Sequence, residues 1–168
     1  MTLYKLVYKG DWEHVKHYLE LHPDALTTQI SSNGDTALHI AVLGGHVKIV
    51  EELVHMISAK DLALKNKTGE TALSLAAGGG ITKVAKPLVR KNHDLLGMEN
   101  DIGNIPLVVA AQFGHIDMVH FLYWVTQEED LDPKTSDQNQ GGKLLTACIV
   151  AQIYGKKVEI TFSFSLIF

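Results

Sequence analysis

The chain repeats itself. Gly34-Asp35-Thr36-Ala37-Leu38-His39-Ile40-Ala41 is followed by Gly45-His46-Val47-Lys48-Ile49-Val50 and Leu53-Val54. Displaced by 35 residues, the pattern returns as Gly69-Glu70-Thr71-Ala72-Leu73-Ser74-Leu75-Ala76, then Gly80, Val84 and Leu88-Val89. After 34 more it returns as Gly103-Asn104-Ile105-Pro106-Leu107-Val108-Val109-Ala110, then Gly114-His115-Ile116-Asp117-Met118-Val119 and Leu122. Moving back 35 residues from the first copy gives Leu3, Leu6, Gly10-Asp11-Trp12-Glu13-His14-Val15 and Tyr18-Leu19, a copy lacking its front. Chance does not produce three full copies and a partial one at a common spacing, and a period of this length marks stacked supersecondary units.

Each unit has the makings of a helix pair. Thr36 precedes a run of helix-compatible residues and can cap it with its hydroxyl. Ala41, Ala76 and Ala110 are small enough for helices to approach closely. Gly45, Gly80 and Gly114 fall where a tight turn needs positive φ. Val47, Val50, Leu53 and Val54 form a helical apolar stripe. No such pair can cover its own apolar face, so stability should come from stacking on neighbours. Gly78-Gly79-Gly80 is expected to soften the end of one first helix and Pro87 to interrupt the second helix after it. The repeat at 69–89 is therefore expected to be the least stable.

Gly-x-Thr-Ala-Leu-His-x-Ala followed by Gly-His-x-x-Ile-Val-x-x-Leu-Val resembles the ankyrin repeat over roughly residues 1–125. The resemblance implies an all-α ankyrin-repeat solenoid, with two antiparallel helices and a β-turn finger per unit. The expected divisions are a partial repeat over 1–30 and full repeats at about 31–65, 66–99 and 100–125. Departures from the motif are Ser74 for His, Ile105 for Thr, and Ala37 and Ala72 where Pro is usual; Pro106 keeps it. In the family the imidazole at the position of His39 hydrogen-bonds between turns and adjacent repeats. His46 and His115 fall at the turn between helices and are read as structural. The resemblance also implies a concave binding face. Its finger residues are Ser32, Asn33 and Asp35; Lys67, Thr68 and Glu70; Asp101, Ile102 and Asn104. Its inner-helix residues are Leu43, Gln112 and Phe113. Ile102, Leu43 and Phe113 are apolar at positions the fold leaves open, the signature of a partner site. The implied role is non-catalytic protein–protein interaction.

Composition narrows the function further. The net charge is −4, without the basic excess of a nucleic-acid binder. Residues 127–137 alone hold Glu128, Glu129, Asp130, Asp132 and Asp137 against Lys134, which accounts for the whole imbalance. The lone Cys148 excludes an internal disulfide and sits in an apolar run, so a buried inert thiol is expected. There is no secretory signal, and the longest terminal apolar stretch, 160–168, is far short of the ~20 residues of a membrane helix. A cytoplasmic location is expected on these grounds. Asn66-Lys67-Thr68 matches a glycosylation sequon by chance on this reading. His14 and His17 could share a helix face, but no further metal-ligand motif accompanies them. The triple glycine lacks the Gly-Lys-Ser/Thr of a phosphate loop. No catalytic, cofactor or metal residue is assigned. Trp12 is read as capping the first repeat.

Beyond residue 125 the pattern fades. Residues 126–142 read as an acidic loop or linker, 143–154 as the start of a divergent repeat, and 155–168 as an aberrant tail that alternates like a strand. Leu3-Tyr4-x-x-Val7-x-x-Gly10-Asp11-Trp12, His22-Pro23-Asp24-Ala25-Leu26 and Leu144-Leu145-Thr146-Ala147 are similar to plant ankyrin proteins that carry a C-terminal PGG membrane domain. That resemblance implies a cytosolic stack tethered to a membrane, although this chain shows no Pro-Gly-Gly box. Gly155-Lys156-Lys157 can be encoded with the splice-donor string GTAAG, so translated intron is one reading of the tail, beside a gene-model error. A regulatory appendage of an enzyme or channel and a truncated, non-functional product are the alternatives.

Overall fold

The computed structural model describes residues 2–126 and 139–153. Eight of its helices fall into four antiparallel pairs: α1 (Leu3–Tyr8) with α2 (Trp12–Leu21), α3 (Ala37–Leu43) with α4 (Val47–Met56), α5 (Ala72–Gly79) with α6 (Thr82–Lys91), and α7 (Pro106–Gln112) with α8 (Ile116–Val125). A ninth helix, α9 (Gln140–Ile153), follows. Two rows result. The inner row runs α1, α3, α5, α7, α9, each helix packed on the next, and the outer row continues from α4 through α6 to α8. Short 3₁₀ turns at Pro23–Leu26, Asp61–Ala63 and His93–Gly97 lead from α2, α4 and α6 toward the following unit.

Of the stripe that periodicity predicts on α4, Val50, Leu53 and Val54 are buried and Val47 is half-buried. Ile49, Val50, Leu53 and Val54 of α4 and Val84, Ala85, Leu88 and Val89 of α6 all face the core. The small residues Ala41, Ala76 and Ala110 are fully enclosed between inner helices. Each intra-pair turn ends on a glycine in the left-handed region. Gly80, at φ +67°, is the most constrained: a Cβ there would stand 2.6 Å from the His115 ring. Trp12 is half-buried and packs against the core of the first pair.

Two expectations change in detail. Pro87 does not interrupt its helix; α6 runs continuously from Thr82 to Lys91. The missing N–H costs a hydrogen bond, but the buried stripe on both sides of Pro87 holds the turn against α4 and α8. Gly78 and Gly79 are the last residues of α5 and Gly80 caps it. The partial first repeat comprises both of its helices, α1 and α2. Helix α9 starts at Gln140, inside the stretch assigned to a linker over 126–142. Its buried residues Leu144, Ala147, Cys148 and Ala151 follow a helical period and seat it on α7. The acidic run 127–137 and the tail 155–168 lie outside the described residues.

Candidate functional site

The fingers are built by one polar device used three times. Ile30 N–H donates to the Asp35 carbonyl (2.8 Å), Asn66 N–H to that of Glu70 (3.0 Å) and Asn100 N–H to that of Asn104 (3.1 Å), closing each hairpin. A side-chain oxygen then fixes the interior. Ser31 Oγ accepts from Asp35 N–H (2.9 Å), Asn66 Oδ1 from Glu70 N–H (3.0 Å) and Asn100 Oδ1 from Asn104 N–H (3.0 Å). The two asparagines also reach back to the preceding finger. Asn66 Nδ2 donates to Asp35 Oδ1 at 2.9 Å, and Asn100 Nδ2 donates to Glu70 Oε1 at 2.7 Å. Finger backbones pack so closely that a Cβ on Gly69 would lie 2.5 Å from the Asp101 amide nitrogen.

This ladder decides which finger residues face outward. Ser32, Asn33, Lys67, Thr68, Asp101 and Ile102 are exposed at the tips. Asp35 and Asn104 are not: they are 5% and 4% exposed, Asp35 held in the ladder by Asn66 and Asn104 turned toward Gln112. The expectation that these two line a binding face is corrected. Asp35 accepts from Ser31, Asn33 and Asn66. Burial alone would raise its carboxyl, and the hydrogen bonds from Ser31 and Asn66 outweigh that, so it sits below the usual carboxylate value. Asn104 donates to Gln112 Oε1 (3.2 Å). Glu70 is half-buried and receives hydrogen bonds from both Ser74 and Asn100. Asn66 is itself buried, which leaves its sequon without a free amide. The rungs Asn66 and Asn100 were missed in the sequence; the available signal is an Asn exactly one period apart, preceded by Ser31 one period earlier.

Three apolar side chains stand out, two of them at the other end of the inner helices. Leu43 is 57%, Phe113 58% and Ile102, back at the fingertips, 72% exposed. Phe113 leans over Gly78, whose Cβ would meet its ring at 3.8 Å, and stacks beside His115 with ring centroids 6.4 Å apart. Tyr8 holds the position one period before Leu43 and is exposed too. Gln112, also exposed, lies at the mouth of an open groove between α7 and α9, together with Lys143, Thr146 and Val150.

Histidines tie neighbouring units together. His39 Nδ1 accepts from the Thr36 N–H (3.2 Å) and lies 2.8 Å from the Thr36 hydroxyl, while Nε2 lies 3.2 Å from the Glu70 carbonyl. An amide can only donate and a carbonyl can only accept, so the ring is neutral with its proton on Nε2. Burial holds its basicity below the ordinary value, against the pull of the Glu70 carbonyl and the Asp35 carboxylate. Thr36 therefore caps α3 jointly with an imidazole that reaches back to its backbone, the capping-box geometry with His in place of Glu. His46 Nε2 meets the Tyr8 carbonyl at 2.9 Å and His115 Nε2 the Gly78 carbonyl at 2.8 Å. Both cross from one unit to the one before.

His14 and His17 do not form a pair. His14 lies 2.8 Å from Asp11, lowering that carboxyl through the side-chain hydrogen bond, and His17 approaches Glu20. Among the described residues no group of three or more His, Cys, Asp or Glu side chains could hold a metal ion. Cys148 is buried, and desolvation pushes its thiol up to about 11, far from a reactive thiolate. Among the described residues no helix is long and apolar enough to cross a membrane.

The family model for ankyrin repeats matches the chain in three copies, over residues 3–96 and 54–137. No curated protein matches it as a relative.

Proposed function

The chain belongs to the ankyrin-repeat family, and from that premise we propose that it is a non-catalytic scaffold that binds a protein partner across its finger tips and inner helices. Repeats of this kind imply a protein–protein interaction role. The observation that carries the assignment to this face is the exposure of Leu43, Ile102 and Phe113, large apolar side chains on a row otherwise made of Ser32, Asn33, Lys67, Thr68, Asp101 and Gln112. Apolar anchors within a polar rim are the usual distribution of binding energy in an interface. The half-buried Glu70 serves the neighbouring finger and is not counted among the anchors.

The wider setting follows the resemblance to plant PGG-domain proteins: a stack held at a membrane by a segment other than these helices, acting in signalling or stress response. Comparing affinity capture by the wild-type chain with capture by Phe113→Ala and Ile102→Ala tests the binding face. Phe113→Ala is expected to lose the captured partner while the melting temperature stays nearly unchanged, because the ring is more than half exposed. A large loss of stability with capture retained would make Phe113 a packing residue and remove it from the face.

A further inference from the structure

A second surface lies on the opposite, outer side of the stack. The outer helices carry different charge patterns at equivalent positions. Helix α4 exposes Lys48, Glu51, Glu52 and His55, and α8 exposes Asp117 and His120. Helix α6 between them has no acidic residue at all. It exposes Lys83, Lys86 and Arg90, which at spacings of three and four residues form one stripe along the helix. Its remaining cation, Lys91, is turned inward, donating to the carbonyls of Val54 and His55 at the end of α4.

The three stripe cations have no carboxylate partner among the described residues. The ion pairs found there are both between histidine and carboxylate, His14 with Asp11 and His17 with Glu20. Lys86 instead lies over the Phe121 ring, 6.0 Å from its centroid. One turn further along α8, at the position equivalent to Arg90, Trp124 is 84% exposed, the most exposed large apolar residue described. Unpaired cations beside an exposed indole sit in a chain whose overall charge is −4.

We propose that the α6 stripe, with Trp124 at its edge, docks a narrow acidic segment of a protein partner. Width selects this occupant over other polyanions. Adjacent helices lie ~8–10 Å apart, so the flanking carboxylates Glu51, Glu52 and Asp117 stand one helix away on either side. An anionic bilayer or a nucleic-acid duplex is broader than one helix and would bring negative charge against them. A single extended or helical acidic segment running along α6 meets only Lys83, Lys86 and Arg90. An apolar residue beside its acids would cover Trp124. This surface is separate from the finger face, so the two can be occupied or lost independently.

The test uses the full chain carrying Trp12→Phe, so that Trp124 alone reports. A fluorescein-labelled oligoglutamate peptide is titrated by anisotropy while Trp124 emission is followed. Binding that weakens with salt and shifts Trp124 emission is expected. The Lys83→Glu/Lys86→Glu/Arg90→Glu variant should weaken it by about tenfold or more. Lys5→Glu/Lys9→Glu, which changes exposed cations on or beside α1, should leave it unchanged. The milder Lys83→Gln/Lys86→Gln/Arg90→Gln variant, checked by circular dichroism, keeps the reading independent of folding. Equal binding by all variants, no binding at low salt, or binding to phosphatidylserine vesicles in preference to the peptide would each overturn the proposal.

Discussion

In the repeat at 31–65 a buried imidazole, His39, joins its own helix start to the next finger. Thirty-five residues later Ser74 stands at the same place, and its hydroxyl donates within its own finger, to Glu70. The contrast continues along the two units. His46 reaches the Tyr8 carbonyl of the preceding repeat, whereas its equivalent Ile81 offers only an apolar contact, 3.8 Å from where a Cβ on Gly45 would stand. Glu52 continues α4, whereas Pro87 occupies the equivalent point of α6. Yet both units reach the same geometry. The repeat at 66–99 is held by side chains that reach across its boundaries. Lys91 reaches the last carbonyls of α4, Asn92 reaches the Ala59 carbonyl (2.8 Å), and Asn100 reaches Glu70. Local rules are broken inside a repeat whose neighbours supply the restraint, as expected where stability is a sum of interface terms.

If that is so, the buried stripe should matter equally in both units. Leu53 and Leu88 are equivalent and both fully buried. Leu53→Ala and Leu88→Ala are each expected to cost about 2–5 kcal/mol. Urea denaturation should place the two losses close together, and a much smaller loss at Leu88 would mean that the 66–99 unit is loosely packed after all.

The helix interiors should differ instead. Pro is about 3 kcal/mol worse than Ala inside a helix. Pro87→Ala should therefore raise the melting temperature and Glu52→Pro should lower it. A neutral result for Pro87→Ala would show that the surrounding packing is fitted to the ring itself, which would narrow the contrast between the units.

The smallest expected effect is on pH dependence, and it belongs to one unit alone. Burial holds the folded His39 imidazole below its ordinary value of 6.5. Below that value the unfolded chain takes up more protons than the folded one, so this contribution is intact at neutral pH and is lost as pH falls through about 6.5 and below. Protonation would also replace the Nδ1 acceptor, on which the Thr36 N–H depends, with a donor. Comparing urea midpoints at pH 7 and about pH 5 should show a decline that is smaller in His39→Gln. An unchanged decline would assign the acid sensitivity to other groups.

The architecture was legible because period, small residues and turn glycines all serve one backbone geometry, and each leaves a mark that does not depend on distant neighbours. Finger orientation was less legible. Asp35 and Asn104 occupy the same motif slot as Glu70, and polar side chains in a turn read as exposed until their partners are seen to turn them inward, Ser31 and Asn66 for Asp35, Asn100 for Glu70 and Gln112 for Asn104. Pro87 misled for a related reason: its cost is local, while the packing of Val84, Leu88 and Val89 that offsets it comes from other helices. The start of α9 at Gln140 was hidden by Gly141 and Gly142, poor helix formers whose turn is anchored by Gln140 donating to the Gly103 carbonyl at 2.9 Å.

The dependence of each helix pair on its neighbours can be read directly from residues 66–99 made as an isolated peptide and compared with the full chain by circular dichroism. Little helix and no cooperative melt are predicted for the peptide, because α5 and α6 lose the faces of α3, α4, α7 and α8 that cover Leu73, Leu88 and Ala76. A peptide that keeps native helix content and melts cooperatively would contradict the account.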